Sequence, residues 1–166
     1  RTVATRSSSQ GFASASQMGR AIRKGSAIMG IVSDVQTYLE AEGVIGGSSG
    51  WASLRRRVLD DVDPIVVFSE DGGTEPEQQA AQGIGDHATE DPAVQVYIRG
   101  APWDGDSAQA KAAAIFAKLH GQRDASIGGT TYIRIQARTS AALFLGFDER
   151  GRPELTISFR GRKLLT

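Results

Sequence analysis

Between residues 93 and 162 a strand, an alanine-rich helix and three more strands follow one another with almost no connecting chain, and this order constrains the fold more than any other feature. Val94, Val96 and Ile98 alternate with Gln95, Tyr97 and Arg99, the period of a half-buried strand over 94–98. Gly100 and Pro102 end it. Asp106 or Ser107 is placed to cap a helix over 107–120, where Ala108, Lys111, Ala112, Ile115, Phe116 and Leu119 fall at helical spacing and Gly121 supplies the stop. Residues 131–137 alternate again. Strands over 142–147 and 154–159 flank Asp148-Glu149-Arg150-Gly151-Arg152-Pro153, a polar connection with glycine that suits a hairpin.

The chain has 166 residues, 40% of them hydrophobic, which suffices for one core and argues against two independent domains. Nineteen basic and 19 acidic residues cancel, so nothing at whole-chain level favours nucleic acid or an acidic membrane. The distribution is uneven. Residues 1–28 carry Arg1, Arg6, Arg20, Arg23 and Lys24 and no acid. Cysteine is absent, which removes disulfides, thiolate catalysis and cysteine-ligated zinc. No apolar run approaches a membrane span, and a soluble protein, intracellular at synthesis, is expected.

Residues 1–28 are rich in Ser, Ala, Gly and Arg, a composition that does not bury enough surface to fold alone. They read as a basic arm whose Phe12, Met18 and Ile22 contact a neighbouring subunit, another protein or DNA; a transit peptide is the weaker alternative. The folded domain is expected over 29–166. Ile31, Val35, Tyr38 and Leu39 share one face of a helix over 31–42, with Asp34 in its first turn. Trp51, Leu54 and Val58 suggest a short second helix over 51–58 carrying Arg55, Arg56 and Arg57. A buried strand over 65–68 follows Asp63-Pro64, and residues 69–92, polar and punctuated by glycine, read as a long loop.

Candidate chemistry is sparse. Asp86, His87, Glu90 and Asp91 lie within six residues, yet a glycine-rich segment offers no rigid scaffold for a metal, and a solvated polar loop is expected. His120 beside Gly121 suits a helix C-terminus as a cation. Gly83-Ile84-Gly85 lacks the third glycine of a dinucleotide fingerprint, since Ala88 stands there. Arg55, Arg56 and Arg57, or Arg160, Arg162 and Lys163 with the basic arm, are able to meet phosphate, although no aromatic residue interleaves the arginine run. An interface role is the stronger reading. A ring in which the arginine segment faces the carboxylates of Glu70, Asp71, Glu75 and Glu77 on the next subunit, with Asp148, Glu149, Arg150 and Arg152 at the hairpin, satisfies both charge signs. No catalytic residue, metal or cofactor is expected.

The segments "YLEAEG", "SEDGGTEPE", "VQVYIRGAP", "DSAQAKAAAIFAKLHG", "TTYIRIQA" and "LFLGFDERGRPELTISFRG" together resemble the tail terminator proteins of long-tailed bacteriophages, also called minor capsid proteins, over 29–162. The likeness is densest at Ile98 to Pro102 and Gly146 to Phe159. It implies an α+β domain with two main helices on a mixed, largely antiparallel sheet of four to five strands. It further implies a hexameric ring that caps the head-proximal end of the tail tube, stops its polymerisation and docks to the head connector. The partners so implied are further copies of the chain, the tail tube protein, connector or neck proteins and genomic DNA passing through, with no membrane, in a virion assembled in the host cytoplasm. A head-completion or connector ring is the nearest alternative. A small metal-dependent hydrolase or a nucleic-acid-binding module is the alternative of another class.

Overall fold

The computed structural model describes residues 30–79 and 87–164. In chain order the elements are α1 (Ile31–Ala41), β1 (Ala52–Arg55), β2 (Ile65–Glu70), β3 (Thr74–Gln79), β4 (His87–Asp91), β5 (Ala93–Arg99), α2 (Gly105–Leu119), β6 (Gln122–Ile127), β7 (Thr130–Ala137), β8 (Leu143–Phe147) and β9 (Pro153–Leu164). The nine strands join in one sheet, parallel between β1 and β2 and antiparallel at every other pairing. β9 is its axis. One edge of β9 pairs with β5 and then β4, and the other pairs with β8 and then β7, beyond which lies β6.

The expected α+β arrangement of two helices on a mixed sheet is present, with more than the four to five strands anticipated. Three differences have physical causes. Residues 51–58 do not form a helix, because Ala52 to Arg55 pair with Ile65 to Phe68 and Arg56 turns the chain at φ 57°. Apolar residues three apart in so short a run do not separate helix from strand. The segment 69–92 holds β3 and β4, whose Glu, Gln, Thr and His residues present no apolar alternation to read. β6 was likewise hidden by its polar sequence Gln122–Ile127.

On one face of the sheet Val66 and Phe68, Val94, Val96 and Ile98, and Leu155, Ile157 and Phe159 alternate inward against Ile31, Val35 and Leu39 of α1 and Ala108, Ala112, Ile115 and Leu119 of α2. Each large aliphatic or aromatic side chain so buried contributes on the order of 1.5–3 kcal/mol. α2 starts two residues earlier than expected, capped by Asp104, whose Oδ1 accepts from the Ser107 N–H at 3.1 Å. His120 is the C-cap of α2, at the helix end as expected. Its ring stacks on Phe116 at 4.7 Å and its Nδ1 accepts the Ala137 N–H at 3.2 Å.

The alternation expected along 131–137 is broken. Tyr132 and Ile135, three apart, are both fully buried, and Asp124 opposite this stretch sits at φ 45° while the β6–β7 register runs on unshifted. Tyr132 donates its hydroxyl to Asp34 Oδ2 at 2.8 Å, tying β7 to α1. Its ring lies over Gly161, where any Cβ would approach within 2.8 Å. Asp34 is thus in the first turn of α1, as expected, and also fully buried.

Candidate functional site

The helices do not cover the whole core-side face. β8 lies along β9 with a bulge, so that Phe144 opposes Leu155 and Phe147 opposes Pro153 although the two phenylalanines are three apart. Directly opposed residues share a face, so both continue the core layer beyond the helices. There they meet solvent: Phe144 is 50% exposed and Phe147 54%. Their rings stand edge to face at 5.4 Å, and Trp103, 81% exposed, stacks on Phe147 at 6.3 Å. Leu143 and Leu145 of the same strand are exposed too. Among the described residues β8 pairs only with β9, and its other edge carries backbone groups without a strand partner beside these side chains.

Trp103 is held in place by backbone. It occupies the left-handed region at φ 64°, its N–H donates to Gly151 O at 2.8 Å, and its indole rests where a Cβ at position 151 would come within 2.5 Å. Gly151, itself at φ 71°, is the residue that permits this contact. Trp103 is thus an exposed tryptophan in an uncommon conformation in the turn after β5, packed against the β8–β9 hairpin, and such a conformation persists where surrounding structure enforces it.

Beside this patch an arginine cluster locks the hairpin to the rest of the domain. Arg99, 2% exposed, sends Nε to Asp63 Oδ1 at 2.8 Å and Nη2 to the Leu59 and Val62 carbonyls. Arg152 donates Nε to Asp148 Oδ2 at 2.6 Å and Nη1 to Asp60 O at 2.9 Å and Asp63 Oδ2 at 3.1 Å. Asp148 Oδ1 also accepts the N–H groups of Arg150 and Arg152, both at 2.9 Å, which shapes the turn. The Arg152 guanidinium is the main reason that the Asp148 carboxyl is held down at about 2. Tyr97 donates to Glu154 at 2.6 Å, and burial is the first cause that raises its hydroxyl far above the usual range.

The expected interface charges fall in different places. Arg55 ends β1 and its Nε donates to Gln36 Oε1; Arg56 pairs with Glu70, and Asp71 with Arg138, all within the chain. Arg57, Glu149 and Arg150 are exposed, and Arg150 Nη1 reaches Asp60 O at 3.1 Å. Asp148 and Arg152 belong to the internal cluster. Glu75 and Glu77 lie on β3, whose side chains from Glu75 onward are outside the described residues, as are Phe12, Met18, Ile22 and Asp86. Glu90 pairs with Lys163 and Asp91 with Arg162.

The sequence predicts the strand over 142–147 but not the exposure of its apolar residues. Two signals pointed to it: a continuous apolar run, Leu143-Phe144-Leu145, in a hairpin where alternation is the rule, and a tryptophan inside the turn following β5. A hollow of about 760 Å³ between the end of α1 and β1 is lined by Glu40, Ile45, Trp51 and Ser53 among glycines and serines. Glu40 is its titratable group and accepts from Gln36 Nε2 at 2.9 Å. Among the described residues no three His, Asp or Glu side chains are grouped to hold a metal ion, and no helix is long and apolar enough to cross a membrane.

Comparison with known proteins places these features. No curated protein matches the sequence. The fold is similar to a chain in the virion of a native gene transfer agent particle, with a TM-score of 0.54 and 15% identity, covering 82% of this chain and 96% of that one. The family model described as bacteriophage tail terminator protein matches residues 59–163, from the segment bound by Arg99 through β9. With more than half its length matched, including α2, β5 to β9, the arginine cluster and the exposed aromatic hairpin, the chain belongs to the bacteriophage tail terminator family.

Proposed function

We propose that this protein is a structural component of a virion tail and works as its terminator, six copies closing into a ring at the head-proximal end of the tail tube. One face of the ring matches the tube and ends its growth, and the other docks the head connector. The exposed Trp103, Phe144 and Phe147 cluster at the open edge of β8 carries this reading. Aromatic residues of this size, rigidly placed beside an unpaired strand, gain most by burial against a copy of the same chain, and a heterologous contact repeated by rotation makes a ring. Arg57, Glu149 and Arg150 supply charge at the rim, where Glu75 and Glu77 of a neighbour are the proposed partners of the arginine segment. The basic arm, through Phe12, Met18 and Ile22, packs across a neighbouring subunit or neck protein.

Multi-angle light scattering of the full chain at high concentration and low salt is expected to give the mass of six subunits. Trp103→Ser with Phe147→Ser is expected to give a folded monomer by circular dichroism. A monomeric wild type overturns the ring. A ring found away from the end of the tail tube in an image of the particle replaces the terminator with a head-completion or connector protein.

A further inference from the structure

We infer that the face of the sheet opposite the helices carries a phosphate-binding surface, an arginine row across β6, β7 and β9 whose ligand is the backbone of double-stranded nucleic acid. Arg123 is directly opposite Arg134, and Arg134 directly opposite Arg162. Opposed residues share a face, so three guanidinium groups stand side by side on adjacent strands, spanning on the order of 10 Å. Gly161 and Phe159 mark the helix-covered side of β9, which sets Arg162 and Arg160 on the other side. Arg160 opposes Gln136 in the adjoining rows of that face.

The acids on this face do not balance the row. Asp91 takes Arg162 in a bidentate pair at 2.7 and 2.8 Å, whereas Glu90 and Lys163, opposed one residue further on, pair on the other face. Arg162, then Arg160 and Arg134, draw the Asp91 carboxyl below its ordinary range, which shows that several cations share one carboxylate. Among the described residues Arg123 and Arg134 make no hydrogen bond or ion pair, and both are exposed. Like charges in direct cross-strand register oppose folding, so an anion that bridges them is favoured. Around the row the neighbouring positions are Gln136, Ser158 and charged residues, with Leu164 at the strand end the exposed large apolar residue of β9. A protein partner needs a cluster of apolar anchors, whereas the exposed large apolar residue beside the row is Leu164. A phosphate backbone needs only cations and reads no sequence.

The test is fluorescence anisotropy of the full chain with a short duplex of arbitrary sequence from about 50 to 200 mM salt, the mass being measured in the same samples. Binding is expected to weaken linearly on logarithmic axes, indifferent to duplex sequence. Arg123→Gln with Arg134→Gln is expected to reduce the slope by about two, at about 0.9 per phosphate contact, with circular dichroism unchanged. Absence of binding at low salt overturns the inference. So does binding that the double variant leaves unchanged, which assigns it to the basic residues 1–28, and so does equal competition by polyglutamate at matched charge, which assigns the row to an acidic protein. The row is present on each subunit, so a monomeric sample that binds refutes the ring and not this surface.

Discussion

Two groups of arginines occupy this small domain, and they behave as opposites. Arg99 and Arg152 are nearly inaccessible, and each meets carboxylates and backbone carbonyls that use up its donors. Arg123 and Arg134 stand in solvent, aligned with a third arginine and without an acid of their own. What separates them is the supply of acceptors. The 59–63 segment bends over Arg99 and offers two carbonyls and a carboxylate, so the guanidinium becomes a rivet between that segment and β5, with Arg152 tying in the β8–β9 hairpin through Asp63; among the described residues no such segment crosses β7. A guanidinium on a satisfied network is architecture, and one left on an open strand face is available to a partner.

Substitution sharpens this contrast. Arg99→Ala strands two carbonyls and leaves Asp63 with Arg152 alone, and a loss of about 3–5 kcal/mol is expected by chemical denaturation. If the loss is within about 0.5 kcal/mol, as for an ordinary surface change, the rivet reading fails. Tyr132→Phe removes the hydroxyl that meets buried Asp34, whose Oδ1 already lacks a partner. A loss of about 1–3 kcal/mol is expected by the same measurement, the cost of an unsatisfied buried acceptor.

Acid reaches the locked carboxylate only at low pH. The folded carboxyl of Asp148 is lowered to about 2 from an ordinary 3.8, so the native state holds that proton more weakly than the unfolded chain. Its stabilising contribution is complete above the ordinary carboxylate range and is lost as pH falls through about 2. The amide resonances of Arg150 and Arg152, which donate to this carboxylate, are expected to titrate in that window, and an inflection near 4 breaks the assignment. The smallest expected effect is that of Arg123→Ala and Arg134→Ala, within about 0.5 kcal/mol of wild type or slightly stabilising, since like charges opposed across strands are relieved.

The patterned elements were legible in the chain. Period-two alternation at Val94, Val96 and Ile98 and helical spacing from Ala108 to Leu119 reflect which side chains leave water, and the structure buries them as written. Polar strands were not legible, because β3, β4 and β6 are held by backbone ladders rather than by an apolar face. The exposure of the aromatic patch was not legible either. Phe144 and Phe147 carry the composition of a core strand, and whether a helix covers them depends on where α2 ends in space.

The sequence by itself determined the α+β class, the central hairpin with its Asp148 turn, and a family likeness that the matched region 59–163 bears out. Those follow from local propensity, periodicity and turn chemistry, which act over a few residues. Only the tertiary structure decided that Arg99 is buried under residues 59–63, that Arg123, Arg134 and Arg162 align across three strands, and that Trp103 stands out beside Phe147. Each of these depends on the register between segments distant in the chain, and register is set by the packing of the whole sheet.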